Sequence, residues 1–531
     1  MITVHTANDS FEVAVLLGIL ILPLLAALAL WALPIQLGDR LAAAYGAVVS
    51  GVVLVGSILL WPRSGGWFAY APASDLPGGK PHVTLYANSN VDGTLLRAVT
   101  DVPWIPPLNV RFHIGIDTIS LPLIILTALL TFLCCIYSLK ITPRIGRMRS
   151  LIALLLVIEA GVIGAFSAMD LVLFFVCFEI VLIPMWLIID IWGDDHDRAG
   201  RKRAATTFVL MTVFGSALML LGFLLVYRQA GTFDLVQLTN SPVLGGHGVP
   251  LAAALLIAVG LAVKVPLWPL HIWLPDAHAK APTVGSVILA GVLLKLGTYG
   301  LIRILVPVLP DATVTIAPYL AGFSTVAIIA GSLACLGQTD VKRLIAYSSV
   351  GHMGFIGLGI ASLSEAGMQG ALFANIAHGI ITGLLFFLAG AIKDRHDTSD
   401  LRTIGRALYA RLPRIGALLT FACLASLGLP GLAGFWGEML ILLGAYNPAD
   451  SLPRATYLVF MVIAGLGTVL TAAYFLRLIR NLCQGDPAEN PASAFAVDLS
   501  RIELITWSPL IVLTVLLGVW PGLLLHQWGS L

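Results

Sequence analysis

Four ionisable side chains stand in apolar sequence, and carrying protons is the chemistry that such residues can do together. Glu179 lies in Phe174-Phe-Val-Cys-Phe178-Glu179-Ile-Val-Leu-Ile-Pro184-Met185 and Lys264 in Ala-Val-Lys264-Val-Pro266. Lys295 lies in Gly-Val-Leu-Leu-Lys295-Leu-Gly and Glu438 in Gly434-Phe-Trp-Gly437-Glu438-Met. An ionised side chain at the centre of a membrane-spanning helix costs about 2.5–3.5 kcal/mol on insertion scales, so each one calls for a partner, water or a function. Lys264 is the obvious cation to pair with Glu179. Lys295 is too deep to snorkel and suits a central proton store, and Glu438 suits an exit or hand-over carboxylate. The alternative for the set is static buried ion pairs that only fix helix packing, but four charges on four segments fit a relay better than a single pair.

Weaker candidates could link these groups through water. They are Glu159, then Ser348, Ser349 and His352, then Asn375 and His378. For each histidine an ordinary interhelical hydrogen bond competes with a relay role. Haem ligation by His352 and His378 has no further support. His271, Asp276 and His278 cluster in Pro269-Leu-His271-Ile-Trp273-Leu-Pro275-Asp276-Ala-His278. That spacing is not H-E-x-x-H, and its prolines suit a shaped hairpin with a structural or proton-access role rather than a metal site. The chain carries no Gly-rich phosphate loop, Walker lysine or nucleophile elbow, so neither nucleotide hydrolysis nor acyl chemistry is expected.

The elements that must hold these residues are membrane helices. The 531 residues are 58% hydrophobic and 11% charged, against about 25% charged in ordinary soluble domains. Apolar runs of about 20 residues recur, the length needed to cross a hydrocarbon core. The alternating pattern of a barrel does not recur. An all-α polytopic fold with about 14 spans follows, near residues 12–34, 41–62, 116–138, 150–169, 170–192, 205–227, 248–274, 283–306, 313–337, 342–361, 367–393, 415–445, 455–480 and 503–525. The net charge of +2 gives no excess that would suit nucleic acid. The six cysteines form no C-x-x-C pair and read as core packing. The segment Met1 to Phe11 lacks the features of a secretory signal, so the first run is expected to be retained.

Lys and Arg concentrate in Lys140–Arg149, Arg198–Arg203, Lys342–Arg343 and Lys393–Arg414. Placing these on the cytoplasmic side puts both termini on the extracytoplasmic side. Residues 63–111, rich in Gly, Pro and Asn, are expected to form an irregular outer loop. Span seven holds Pro266, Pro269 and Pro275, and span twelve opens with Gly428-Leu-Pro430-Gly431, so both helices are expected to be interrupted. Interruptions five spans apart suggest two inverted five-helix repeats, at 150–306 and 313–480. They are flanked by N-terminal spans at 1–149 and by a cytoplasmic loop with a last span at 481–531.

The motifs Phe178-Glu179 to Pro184-Met185 and Ile191-Trp192-Gly193, Lys264-Val-Pro266 to His278 with Ala281-Pro282, and Gly428-Leu-Pro430-Gly431 with Gly437-Glu438 together carry a resemblance. The chain resembles the antiporter-like membrane subunits of bacterial respiratory complex I, the NADH–quinone oxidoreductase, over essentially all its spans. Among these it resembles the M type: L and N types usually carry a lysine where Glu438 stands, and L types continue into a long lateral helix, whereas this chain stops soon after span fourteen. His396-Asp-Thr398 with Asp400-Leu-Arg402 also looks like the M-type loop. The resemblance implies a coupled Glu179–Lys264 pair, a central Lys295 and a terminal Glu438. It also implies location in the bacterial inner membrane beside the L- and N-type and small membrane subunits. No cofactor is expected on this chain, with flavin, iron–sulfur clusters and quinone in partner subunits. A subunit of a multi-subunit cation/proton antiporter, which shares the same core, is the nearest rival.

Overall fold

The computed structural model describes residues 10–32, 38–61, 96–141, 147–485 and 498–525. The helices that concern the site are α1 (Ser10–Ala32), α2 (Asp39–Leu59), α3 (Ser120–Ser138), α4 (Met148–Ser167), α5 (Leu171–Ile180) and α6 (Leu182–Trp192). They continue with α7 (Arg198–Ala230), α8 (Leu235–Asn240), α9 (Gly248–Lys264), α10 (Leu274–Lys280) and α11 (Thr283–Val308). The rest are α12 (Pro310–Gly337), α13 (Val341–Ala361), α14 (Glu365–His396), α15 (Pro413–Ser426), α16 (Ala433–Tyr446), α17 (Arg454–Cys483) and α18 (Arg501–Val519).

Among the described residues, 12 helices are long and apolar enough to cross a membrane, the pair α5–α6 counting as one. Their burial sorts them. The most apolar window of α11 is 100% buried and that of α14 94%, whereas that of α17 is 28% and that of α1 33%. Helices that are hydrophobic all round thus occupy the core, while the peripheral ones turn Leu, Val and Phe outward, as a lipid-facing surface requires.

Both expected interruptions are present. Helix α9 stops at Lys264, residues 265–273 form turns, and α10 resumes at Leu274. The carbonyl that the break frees on Val263 accepts a hydrogen bond from the Trp273 indole N–H at 3.0 Å, which removes most of the cost of an unpaired carbonyl in a buried site. Between α15 and α16 the chain leaves the helix at Leu427 and re-enters at Ala433. Gly428 and Gly431 take φ values of +80° and +91° there, a region that side chains disfavour. A third irregularity was not expected: α11 contains π-helical turns at Leu289–Leu293 and Leu301–Leu305, which bracket Lys295.

The all-helical expectation needs one correction. Arg97–Ile105 (β1) and Val110–Ile116 (β2) form an antiparallel hairpin in place of an irregular chain up to Arg111. The alternation of Val110, Phe112, Ile114 and Ile116 is a strand signal, and Pro103 is tolerated because a two-stranded ribbon has only edge strands. Residues 62–95, the rest of that expected loop, lie outside the described residues. The hairpin is tied down by the Arg97–Glu12 ion pair, by His113 Nδ1 at 2.6 Å from Asp234, and by the Arg111 N–H donating to Asp170 at 3.1 Å.

At the opposite end of the bundle, charges form a collar. Asp194 lies 3.4 Å from Lys280 and 3.2 Å from Lys393, and Lys342 donates to the Ala281 carbonyl at 2.9 Å. Arg343 pairs with Asp276. The carboxylate of Glu503, fully buried, accepts from Lys140 at 2.7 Å and from both terminal nitrogens of Arg395 at 2.8 Å.

Candidate functional site

Lys295 follows the first π turn of α11 and is fully buried. A π turn widens the helix and shifts carbonyls out of their usual register. Here the Ala290 carbonyl accepts a hydrogen bond from the Lys295 ammonium at 2.6 Å. The second partner of the ammonium is Nδ1 of His378 on α14, at 2.7 Å. An ammonium can only donate, so beside a charged Lys295 the imidazole carries its own proton on Nε2. One turn away, Asn375 accepts from the Thr298 hydroxyl at 2.8 Å and donates to the Ala371 carbonyl at 3.0 Å. Asn375 therefore fastens α14 to α11 and holds His378 at Lys295.

The far side of His378 opens on a cavity of about 30 Å³ lined by His352, His378, Ser426, Gly434, Glu438 and Ala377, with apolar side chains between them. His352 on α13 stands with its ring centroid 5.6 Å from that of His378. Its Nδ1 lies 3.2 Å from Glu438 and its Nε2 3.0 Å from the Ser426 hydroxyl. His378 Nε2 is buried and finds no partner among the described residues. A cavity needs about 10–15 Å³ to hold a water that has polar partners, so this one has room to join the two imidazoles through water. Lys295, His378, His352 and Glu438 thus form one line of exchangeable protons with a single gap. The wall that makes the gap is the broken pair α15–α16, since Ser426 ends α15 and Glu438 lies in the second turn of α16.

The other half of the site is looser. Lys264, almost fully buried, is the last residue of α9, where a cation meets the negative end of the helix dipole. Its ammonium sits 4.8 Å from the Phe178 ring centroid and 6.0 Å from that of Phe208, a cation–π setting. Glu179 is half-buried near the end of α5 and within electrostatic reach of Lys264, but the ammonium rests on the neighbouring aromatic faces rather than in an ion pair with it. The helices that carry the two lysines pack backbone to backbone: a side chain at Gly297 would stand 2.9 Å from both the Val265 nitrogen and the Leu261 carbonyl, so only glycine lets α11 approach the end of α9 this closely.

The remaining candidates separate. Ser348 and Ser349 both bond back to the Ile345 carbonyl of their own helix, at 2.8 and 3.2 Å, and Ser348 also lies within hydrogen-bonding reach of the Tyr474 hydroxyl, which faces Glu438. Glu159 is fully buried, and neither carboxyl oxygen finds a partner among the described residues. It shares the face of α4 with Ile152, which meets Gly46 of α2, and lies near Cys135 of α3. That face is turned away from the one that packs on α5 through Gly161. His271 sits in the break of span seven with its ring 6.2 Å from that of Tyr347. His278 is buried on α10, stacked on Phe386 at 4.6 Å, and neither ring nitrogen has a partner among the described residues. Sequence reasoning missed Thr298, Ser426 and Trp273. Only Ser426 carried a signal, its position two residues before the Gly-Leu-Pro-Gly break.

Comparison with known proteins bears on this geometry. Residues 168–471 match the transmembrane family described as NADH:quinone oxidoreductase/Mrp antiporter. NADH-quinone oxidoreductase subunit M of Rickettsia prowazekii is 38% identical over 441 residues, which are 82% of this chain and 86% of that one. A chain of respiratory complex I from Thermus thermophilus is similar in structure, with a TM-score of 0.79 and 27% identity over 96% of this chain and 97% of that one. A chain of the Mrp complex from Dietzia shares the fold, with a TM-score of 0.77 and 21% identity over 97% and 96%.

Proposed function

Since the chain belongs to the family of antiporter-like membrane subunits found in NADH:quinone oxidoreductase and Mrp antiporters, with M-type subunits of the former among its relatives, we propose that it carries protons sideways through the membrane along Glu179, Lys264, Lys295, His378, His352 and Glu438. The observation that carries this reading is the line Lys295–His378–cavity–His352–Glu438, in which only one gap lacks a direct hydrogen-bonding contact and that gap has room for water.

Energy comes from electron transfer in partner subunits, which hold flavin, iron–sulfur clusters and quinone. This chain supplies no redox site. A change in the separation of Glu179 and Lys264 is the input. When Lys264 moves towards Glu179 its charge leaves the neighbourhood of Lys295, and a proton on Lys295 loses a repulsive neighbour; the reverse movement drives that proton towards His378. His378 receives it on Nδ1 and passes the one on Nε2 through the cavity to His352 and Glu438. In this reading α9–α10 and α15–α16 are single broken spans, which brings the count to fourteen, arranged as two inverted five-helix repeats. The collar at Asp194 faces the cytoplasm, both termini lie on the other side, and the neighbours are the L- and N-type and small membrane subunits in a bacterial inner membrane.

The test is Glu179→Gln in the assembled complex, reconstituted in liposomes, with proton uptake measured per NADH oxidised. A lowered ratio is expected, and an unchanged one would refute the relay. Cation/proton antiport is a second reading, kept by the Mrp-type fold match. It predicts that an imposed sodium gradient moves protons without NADH, which the first reading forbids. A purely static scaffold predicts that Lys295→Met lowers assembly yield while leaving the ratio intact.

A further inference from the structure

We propose that α18 is a brace that sets the aim of Glu438, with Gly518 and Trp436 as positioning residues; this rests on Glu438 serving as the terminal carboxylate. The brace touches both halves of the broken span. At its start, the Asp498 carboxylate accepts the Arg414 and Ile415 N–H groups at 2.9 and 3.2 Å and so caps α15. The same turn is anchored through Arg395, which donates to the Asp498 carbonyl at 3.0 Å and to Glu503, and through the Ser500–Glu503 capping box.

Near its other end, α18 meets the break itself. The Trp436 indole N–H, from the first turn of α16, donates to the Gly518 carbonyl at 2.7 Å. A β-carbon at Gly518 would stand 2.2 Å from the Gly431 carbonyl oxygen and 2.4 Å from the Leu432 α-carbon. Both are backbone atoms, so no side-chain rotation relieves the clash. At about 100° per residue, Glu438 projects about 200° around α16 from Trp436. Pinning the indole to α18 therefore turns Glu438 to the opposite side, where it meets His352 on α13. Gly437 completes the seat, because a side chain there would stand 2.8 Å from the Ala374 β-carbon on α14. The helix α16 is thus held by α18 on one face and meets His352, beside the cavity, on the other.

Glu438 faces His352 at 3.2 Å, close to the outer limit of a hydrogen bond. Relieving a 2.2 Å contact to about 3.0 Å moves the break by about 0.8 Å away from α18 and towards the His352 side, enough to shift the aim of Glu438 at His352. A misplacement of about 1 Å can slow a positioned step by about 100-fold.

The experiment uses the whole complex in liposomes with Gly518→Ala, Trp436→Phe and Glu438→Gln, and reads subunit composition, protons per NADH oxidised and the pH profile of that ratio. The titratable groups facing Glu438 are His352 on α13, His378 on α14 and Tyr474 on α17. The expected result is that Gly518→Ala and Trp436→Phe assemble, pump at a ratio lowered towards that of Glu438→Gln, and show a displaced pH profile. Should Gly518→Ala not assemble, Trp436→Phe, which removes one N–H and little bulk, decides alone. A parental ratio and profile in Trp436→Phe overturns the brace while leaving the relay standing. A parental ratio in Glu438→Gln overturns the relay and the brace with it.

Discussion

Filling the cavity between His378 and His352 with Ala377→Val tests the water gap without removing any ionisable group. The cavity measures about 30 Å³, room for about two waters at about 10–15 Å³ each. Valine adds two carbons to a residue that lines it, and each takes roughly the space of one water, so the gap becomes dry. The imidazoles then face each other with ring centroids 5.6 Å apart and no hydrogen bond between them. Proton transfer needs a contact of about 2.6–3.2 Å or one intervening water, and assisted transfer is typically worth about 10²–10⁴-fold. The step from Lys295 to Glu438 should slow by at least about 100-fold. Overpacking costs about 1–3 kcal/mol of stability, so Ala377→Ser serves as the control that keeps the site polar and nearly the same size. The assay is acidification of liposomes containing the whole complex, normalised to NADH oxidation. If Ala377→Val pumps at the parental ratio, water in this cavity is not part of the path and the single-gap line fails.

Trp273→Phe removes the donor to the Val263 carbonyl and should destabilise the break of span seven by about 1–3 kcal/mol, read as a lowered thermal midpoint of the purified complex. Ser349→Ala removes a hydroxyl whose bond runs back to the Ile345 carbonyl of its own helix, so it should neither change stability by more than about 0.5 kcal/mol nor alter pumping. At the collar, burial works against the charged form of Asp194, but Lys393 and Lys280 outweigh it and hold its carboxyl below the usual carboxylate range. Its contribution is therefore complete above the ordinary value of about 3.9 and is lost as pH falls through the lowered one. Asp194→Asn should lower stability at pH 7 and abolish that part of the acid dependence, as measured by thermal unfolding across pH.

The four charges were legible because each is an isolated polar letter in a long apolar run, where the cost of burial makes a bystander improbable. His352 and His378 were legible for the same reason, although only the fold brings them to one cavity. The interruptions could be read from Pro266, Pro269 and Gly428-Leu-Pro-Gly431, since proline and glycine act through the local backbone. Trp273 and Thr298 could not, because an indole or hydroxyl is ordinary in sequence and its partner is chosen by packing between helices, whereas Ser426 was marked only by its place just before the Gly-Leu-Pro-Gly break. The π turns around Lys295 leave no local mark for the same reason. The hairpin was readable in part: Val110, Phe112, Ile114 and Ile116 alternate, but the prolines at 103, 106 and 107 obscured its first strand. The expected pairing of Glu179 with Lys264 rested on opposite charge and on the family resemblance, and the aromatic faces of Phe178 and Phe208, which hold the ammonium here, are partners that neither argument pointed to.

The separation of the two imidazoles also bears on how many protons one stroke can deliver. Two positive charges 5.6 Å apart repel by about 3 kcal/mol at an effective dielectric constant of about 20, a penalty of roughly a hundredfold in occupancy. In the proposed relay the pair would therefore admit one extra proton at a time, a second entering only after Glu438 had taken the first. A turnstile of this kind would limit the leak that a continuously protonated wire allows when the membrane is already charged.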